Sequence, residues 1–249
     1  YMSYEDSIKK SNANIVYISL INSKHFKWAM IALKNNKHVI IDKPFTLNYK
    51  ETVKLINFAN KKKLFLSEAV VFHKHARFKN LIKKIKKNKK INISASFHIP
   101  KLKKNNFRNY HKLGGGCFND MSTYGAYLIF LFLLKKKYQI KKLDNGKNLN
   151  DFFSFRANSR FINIDASFKF NSDYKNDILI RNNSNKYLLN YAFSPPIDKK
   201  TYIKIQHGKK KEYMFSFKKQ NAFDAYFSNI FSLIKKKKYK SFYEEIKEI

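Results

Sequence analysis

The first 70 residues alternate short apolar runs with amphipathic stretches, and this alternation restricts the fold more than any other feature of the sequence. Residues 15–20, 38–41 and 64–66 are short, largely apolar runs, as in strands that are buried on both faces. Between them, residues 24–35 and a second segment carry apolar side chains at helical spacing, the second through Val53, Ile56, Phe58 and Ala59. Strands that alternate with single helices form a parallel sheet with right-handed crossovers. The sequence therefore predicts a parallel βαβαβ unit.

Past about residue 91 the apolar pattern changes its period. Residues 91–97 alternate strictly between apolar and polar side chains, and residues 161–170, 179–191 and 202–206 alternate more loosely. A period of two with one apolar side is typical of an antiparallel sheet that covers a core on one face. We therefore predict an α/β fold in two domains. Residues 1–70 hold the parallel βαβαβ unit, and residues 71–249 form an α+β domain with an open, mostly antiparallel sheet.

The charge of the chain first suggests a nucleic-acid partner. Lys and Arg number 52 against 17 Asp and Glu, so the formal charge is +35, enough to neutralise many phosphates. Only five are Arg, the side chain that best contacts base edges and phosphates: Arg77, Arg108, Arg156, Arg160 and Arg181. The excess of Lys comes with many Asn, Ile, Phe and Tyr, which all have A/T-rich codons, so coding bias explains more than DNA binding does. We predict no nucleic-acid partner and keep a basic nucleic-acid-binding protein as the least favoured alternative.

The single cysteine and the short apolar runs bear on the cellular compartment and on membrane association. Cys117 alone cannot form a disulfide framework, which fits a reducing compartment, and we expect a cytoplasmic protein. The longest apolar run, residues 127–134, is far shorter than the roughly 20 residues that a membrane span needs. The sequence thus predicts no membrane partner, and we predict no metal site.

Asp42-Lys43-Pro44 is the first segment that carries chemistry. It follows the second predicted strand at its carboxyl end, where open α/β sheets bind ligands. Pro44 ends the strand ladder and fixes the turn that presents Lys43. Two interpretations stay open at this point: Lys43 contacts a ligand, or it is a solvated lysine after a strand.

The second such segment opens with Gly114-Gly115-Gly116, directly before a predicted helix. Three of the chain's six glycines stand here, so the backbone can approach a ligand closely. Asp120 and Tyr124 are four residues apart and share one face of the helix. A carboxylate and a phenol near a helix N-terminus can bind and protonate a polar substrate. The alternative is an ordinary glycine turn with a capping Asp and a core Tyr.

Taken in order along the chain, these segments resemble the glucose–fructose oxidoreductase and inositol dehydrogenase family (Gfo/Idh/MocA). The resemblance rests on residues 15–20, Asn22, His25, Asp42-Lys43-Pro44, Glu68-Ala69 and the triple glycine with Asp120 and Tyr124. It implies a Rossmann domain that binds NAD or NADP. It also implies a C-terminal domain whose open antiparallel sheet joins copies of the chain into a homo-oligomer. The family's motifs read Glu-Lys-Pro and Gly-Gly-Gly-x-x-x-Asp-x-x-x-His, so Asp42 and Tyr124 depart from them.

The resemblance also concerns where the chain begins. Ser3-Tyr4-Glu5 is similar to the start of a helix inside the family's Rossmann domain, and the family's Gly-x-Gly-x-x-Gly loop has no counterpart here. We therefore expect residues 1–70 to be the C-terminal half of a Rossmann domain, with the glycine-rich loop upstream of Tyr1. On this expectation the fragment alone binds NAD(P) negligibly and is inactive, because no helix N-terminus holds the pyrophosphate.

The activity that the resemblance implies is hydride transfer between a nicotinamide and a carbinol or keto carbon of a sugar or sugar derivative, including a nucleotide sugar. The implied catalytic residues are Lys43, which lowers the pKa of the phenol, Asp120, which orients the sugar or Lys43, and Tyr124, the acid/base. The implied cofactor contacts are Asn22, His25, Asp42, Lys43 and Glu68. The implied substrate contacts are His73, Arg108, Asp120 and Tyr124. The alternative is a truncated, inactive relative that acts as a binding protein.

Overall fold

The computed structural model describes residues 3–85, 90–134, 136–144 and 150–239, together with Tyr243 and Ile246. The helices in these residues are α1 (Tyr4–Lys10), α2 (His25–Lys34), α3 (Tyr49–Lys62), α4 (Ala76–Lys84), α5 (Cys117–Leu133) and α6 (Ala222–Lys235). The strands are β1 (Ile15–Ile18), β2 (His38–Asp42), β3 (Leu66–Ala69), β4 (Ile91–His98), β5 (Tyr138–Asp144), β6 (Phe152–Ser159), β7 (Ile162–Lys169), β8 (Lys175–Arg181), β9 (Asn185–Asn190), β10 (Thr201–His207) and β11 (Tyr213–Phe217). In this described part, no helix combines the length and the apolarity that crossing a membrane requires.

The strands β1, β2 and β3 form a parallel sheet in that order. Both faces of the central strand β2 are covered. Val39 and Ile41 pack with α2 and α3, whereas Ile40 faces the other way and packs with Tyr226 and Ile230 of α6. All three β2 side chains are fully buried, which explains why the strand appears in the sequence as a continuous apolar run.

The second sheet has eight strands in the order β11-β10-β9-β8-β4-β7-β6-β5. One inner pair, β4 and β7, is parallel, and the other neighbouring strands are antiparallel. Along β4 the apolar side chains are buried in alternation, as the period of two predicts. Helix α5 packs on this buried face against β6 and β7. The sheet therefore supports the helix that carries Asp120 and Tyr124.

Helix α6 follows the second sheet in the chain but packs against the first. The Tyr226 hydroxyl donates a hydrogen bond to the Glu68 carbonyl at 2.8 Å, and its oxygen lies 2.7 Å from the Ser67 hydroxyl oxygen. The domain boundary at residue 70 stays a prediction: the parallel sheet ends at Ala69 and the second sheet begins at Ile91, but α6 returns to the parallel one.

The fold class predicted from the sequence is confirmed: a parallel three-stranded unit precedes a mostly antiparallel sheet. The alternating stretch 179–191 covers parts of the antiparallel strands β8 and β9, and Asn182 forms the turn between them. Its side-chain oxygen accepts the N–H groups of Ser184 and Asn185 at 3.0 and 2.8 Å.

Candidate active site

Lys43 lies in the turn that ends β2. Its peptide bond to Pro44 is cis, and Asp42 Oδ1 accepts the Lys43 N–H at 2.8 Å. The next two backbone groups of the turn are held by buried side chains. His25 Nδ1 lies 2.7 Å from the Pro44 carbonyl oxygen, and the Phe45 N–H donates to a carboxylate of β3 at 2.8 Å. The turn is therefore fixed on both sides, and its Lys43 side chain extends to α5.

The Lys43 ammonium meets α5 at Asp120. Nζ donates to Asp120 Oδ1 at 2.9 Å and to the Asp120 carbonyl oxygen at 2.8 Å. Arg108 Nε donates to the same Oδ1 at 2.9 Å. The side chains of Lys43 and Asp120 are only 14% and 5% exposed, so water screens this pair little. Two cations share one carboxylate, and the cluster keeps a net positive charge.

The triple glycine places Arg108 beside the start of α5. Gly114 and Gly116 have φ angles of +80° and +99°, which side chains disfavour. A Cβ at Gly115 would come 2.5 Å from the Arg108 carbonyl oxygen, and the Gly116 N–H donates to that oxygen at 2.8 Å. The close approach expected of this turn is thus made to the chain's own backbone.

Tyr124 lies one helical turn beyond Asp120. Its ring contacts three other aromatic rings at centroid distances of 5.2 to 6.0 Å: Phe72, Phe97 and Phe193. Lys43 Nζ is 5.4 Å from the centroid of the Tyr124 ring, and both residues line one cleft of about 190 Å³. Among the residues that the structure describes, none hydrogen-bonds the Tyr124 hydroxyl. The hydroxyl is therefore available to a molecule in the cleft.

Burial and charge have opposite effects on the pKa values of Lys43 and Tyr124. Burial raises the pKa of the Tyr124 phenol, and the Lys43 charge opposes this rise without cancelling it. Burial lowers the pKa of the Lys43 ammonium, but attraction to Tyr124 and Asp120 exceeds this effect, so its pKa is raised. Lys43 acts on the phenol pKa in the predicted direction, lowering it, but burial has the larger effect and the pKa stays above its ordinary value. At neutral pH the cleft holds a charged lysine and a protonated phenol.

Three of the predicted cofactor contacts are occupied inside the protein. Asn22 Nδ2 donates to the Gly114 carbonyl at 2.9 Å. His25 is fully buried, with its ring nitrogens 2.7 and 2.9 Å from the carbonyl oxygens of Pro44 and Leu20. Glu68 Oε1 accepts the Phe45 N–H. The geometry gives no support to the cofactor contacts predicted for these three side chains.

His73, a predicted substrate contact, does not lie with the residues that line the cleft. Its ring stacks on Tyr127 at a centroid distance of 5.0 Å, and burial lowers its pKa to about 2. His73 is thus a neutral side chain inside an aromatic cluster, and the geometry gives no support to its predicted substrate contact. Arg108 is placed differently, because its side chain is 32% exposed beside Asp120.

The cleft has the features that the nicotinamide end of a dinucleotide needs. Asp42, Lys43 and Ala69 line it from the carboxyl ends of β2 and β3, the edge at which parallel sheets bind dinucleotides. Val71 and Phe193 add apolar walls against which a flat ring can pack. The fit concerns this end of the cofactor only, since no described residue belongs to a Gly-x-Gly-x-x-Gly loop.

The sequence did not point to Phe193 or Thr123. Phe193 follows β9 and stacks on Phe97 at 5.5 Å, which closes the aromatic wall around Tyr124. No spacing relates residue 193 to residue 124, because an eight-stranded sheet brings them together. Thr123 adjoins Tyr124, and its hydroxyl donates to Glu68 Oε1 at 3.2 Å. A Thr inside a helix gives no signal of such a bond.

Protein families and individual proteins similar to this chain are oxidoreductases. Residues 1–70 match the model of an oxidoreductase family with an NAD-binding Rossmann fold. The chain is 24% identical over 213 residues to dTDP-3,4-didehydro-2,6-dideoxy-alpha-D-glucose 3-reductase of Saccharopolyspora spinosa, which covers 82% of this chain and 64% of that protein. It is 41% identical over 70 residues to D-xylose 1-dehydrogenase (NADP(+)) of Hypocrea jecorina, or 28% of this chain and 18% of that one. The chain thus spans slightly less than two thirds of the first of these relatives.

Solved structures share the whole fold. A 3-ketoreductase from Actinomadura kijaniata in complex with NADP and TDP-benzene superposes with a TM-score of 0.89 at 19% identity, over 100% of this chain and 78% of that one. UDP-N-acetylglucosamine 3-dehydrogenase from Acidithiobacillus ferrooxidans gives 0.72 at 16% identity, over 94% and 73% of the two chains. At such identities the likeness concerns the fold. The family model that residues 1–70 match is that of the Gfo/Idh/MocA oxidoreductases, and the ordered motifs at Lys43, Asp120 and Tyr124 resemble the same family.

Proposed function

We propose that the whole protein transfers a hydride between NAD(P) and a carbinol or keto carbon of a sugar. One observation carries the proposal: Lys43 Nζ and Asp120 Oδ1 lie 2.9 Å apart although 77 residues separate them, with Tyr124 in the same cleft. A buried ammonium at this place is costly, and packing alone does not require it. Hydride transfer gives it a role, because the hydroxyl proton must leave the substrate oxygen as the hydride leaves the carbon that bears this oxygen.

The side chains of the cleft handle the proton. The nicotinamide, when bound, supplies or accepts the hydride. In reduction, the Tyr124 hydroxyl donates its proton to the substrate oxygen as charge develops there. Lys43, held by Asp120, then stabilises the phenolate that remains. Because burial raises the pKa of this phenol, the phenolate depends on the adjacent ammonium. In oxidation the same groups act in reverse.

We propose a nucleotide sugar as the substrate. Two of the similar proteins act, by their names, on dTDP- and UDP-linked sugars. Within this chain, the partly exposed Arg108 leaves the Lys43 cluster net positive, and Lys101, Lys103 and Lys104 precede it in the same loop. Positive charge beside a cleft attracts a diphosphate and strengthens its binding.

Tyr124→Phe tests the proposed reaction. In the full-length enzyme, assayed by nicotinamide absorbance with a panel of nucleotide ketosugars, kcat should fall by roughly 10²–10⁴ because the proton donor is lost. The affinity for the cofactor should change little. Tyr202→Phe, which removes an exposed hydroxyl on β10, is the control and should keep full activity. A Tyr124→Phe enzyme as active as this control would contradict the mechanism, and an inactive wild type would favour the binding-protein alternative.

We also propose that copies associate through the outer face of the eight-stranded sheet. Leu179 and Leu188 are paired on this face, and Met214 stands in the same row beyond Lys204. Met214 is 62% exposed in the single chain. Leu188→Lys should lower the mass measured by light scattering to that of a monomer, and an unchanged mass would exclude this face as the interface.

A further inference from the structure

One carboxylate oxygen joins the Lys43 turn to helix α5. Glu68 Oε1 accepts the Phe45 N–H at 2.8 Å and the Thr123 hydroxyl at 3.2 Å. Glu68, Phe45 and Thr123 are each less than a tenth exposed. Phe45 lies two residues after Lys43, and Thr123 immediately precedes Tyr124. The two bonds therefore connect the segments that carry the proposed lysine and tyrosine.

A second buried side chain holds the same turn from another side. His25 Nδ1 lies 2.7 Å from the carbonyl oxygen of Pro44, the residue between Lys43 and Phe45. Consecutive backbone groups of the turn are thus bound by His25 and Glu68. Each bond is buried, and breaking one leaves a polar group without a partner, which destabilises the fold. The turn therefore has little freedom to move relative to His25 and Glu68.

Glu68 itself does not face the reaction cleft. It lines a separate cavity of about 620 Å³, together with Thr123 and residues of the loop after Pro44, whereas Lys43 and Tyr124 line the cleft of about 190 Å³. A side chain that lies apart from the cleft cannot contact the reacting atoms. Apart from its charge interaction with Lys43, its influence on them passes through the two segments that it joins.

We propose that Glu68 is a positioning residue, which latches the Lys43 turn to helix α5 through Phe45 and Thr123 and so fixes the distance between the Lys43 ammonium and the Tyr124 hydroxyl. The catalytic consequence rests on the proposed function, but the latch itself is a property of the fold. We propose this positioning role for Glu68 in place of the cofactor contact that the family resemblance implied.

The latch has a distinctive chemical requirement. Both bonds end on one acceptor oxygen, and a carboxylic acid, a carboxylate or a carboxamide can each supply such an oxygen. Glu68→Gln should therefore preserve the latch, whereas Glu68→Ala removes it. Thr123→Val removes only the bond to α5 with little change of shape, and Thr123→Ser restores the hydroxyl. Ser122→Ala is the matched control. Ser122 adjoins Thr123 and lines the same cavity, but its hydroxyl makes no hydrogen bond to any described residue.

The experiment combines kinetics with hydrogen exchange on the full-length enzyme. In Thr123→Val, amide exchange measured by mass spectrometry should accelerate in both residues 42–47 and 117–126, while Ser122→Ala resembles the wild type. We expect kcat to fall roughly 10-fold to 10²-fold with KM nearly unchanged, because misplacement by about 1 Å costs up to 10²-fold. Thr123→Ser and Glu68→Gln should restore both readouts. If Thr123→Val does not fold, Glu68→Ala compared with Glu68→Gln answers the same question.

The outcomes separate the latch from the proposed function. Exchange in Thr123→Val equal to that in Ser122→Ala overturns the latch, whatever the activity. Faster exchange with unchanged kcat overturns the positioning role. A wild type that reduces no sugar refutes the proposed function, and the exchange data alone then decide whether Glu68 latches the turn.

Discussion

At the scale of single residues, the buried carboxyl group of Glu68 makes folding depend on pH. Burial raises its pKa from 4.5 to about 7, although the bonds from Phe45 and Thr123 oppose this rise. In the unfolded chain the same group titrates near its ordinary value. Between these two values the folded protein therefore binds a proton that the unfolded chain has lost. The ionised form is tolerated in the fold but is less stable there.

This linkage predicts that Glu68 stabilises the protein fully below about pH 4.5 and progressively less as the pH rises to about 7. The loss amounts to roughly 3 kcal/mol, from a shift of about 2.5 pKa units at 1.36 kcal/mol each. Urea unfolding of the wild type and Glu68→Gln across this range measures it as a difference. Burial lowers the pKa of His73 and His75, but both act alike in the two proteins and cancel. Parallel stability curves would contradict the prediction.

The sequence identified some site residues and not others for a physical reason. Lys43, Asp120 and Tyr124 stand in motifs whose spacing and order are specific, and the structure brings all three together. The partner of Glu68 could not be predicted, because it depends on which side of β3 its carboxylate faces and how α5 packs there. The burial of His73 likewise depends on Tyr127, 54 positions away in the chain.

At the scale of elements, helices and strands with a clear periodic pattern of apolar residues were predicted best. The strand β2 and the helix α2 were predicted to within one or two residues, because buried residues follow a clear period there. The hairpin β8–β9 was predicted as one stretch, since a three-residue turn leaves the alternation almost unbroken. Strand β11 escaped prediction because nearly all of it is exposed on both sides, so no buried face marks it.

The turn before α5 is the element whose geometry is easiest to test. Gly115→Ala would place a methyl group 2.5 Å from the Arg108 carbonyl oxygen, so the loop must move away from α5. We expect a loss of roughly 1–3 kcal/mol, the usual cost of overpacking, together with weaker substrate binding. Gly208→Ala is the control: its methyl group would meet nothing within 4 Å, and only the positive φ of 58° costs stability there. Thermal unfolding that ranks Gly208→Ala as the more harmful change would refute this account of the turn.

At the scale of the whole molecule, the two sheets are connected by more than the chain between them. Helix α6 belongs to the second half of the sequence, yet its Tyr226 and Ile230 pack with Ile40, Phe65 and Ala69 of the parallel sheet. The parallel sheet alone is small, with three strands and two covering helices, and a unit of that size is marginal by itself. Its stability therefore depends on contacts that arrive from the other half.

This dependence predicts how the molecule unfolds. Fluorescence of Trp28, the single tryptophan, reports on α2 beside the parallel sheet, while far-ultraviolet circular dichroism reports on all strands and helices. In the wild type both signals should change at one urea concentration.

Tyr226→Ala removes a buried ring and the hydrogen bond to the Glu68 carbonyl. We expect this change to destabilise the parallel sheet by roughly 3–5 kcal/mol. The fluorescence transition should then move to lower urea than the dichroism transition. Phe231→Ala, on the same helix but 53% exposed, should leave them together. If the two transitions of Tyr226→Ala still coincide, contacts other than α6, such as the Glu68 bond to α5, join the two halves into one cooperative unit.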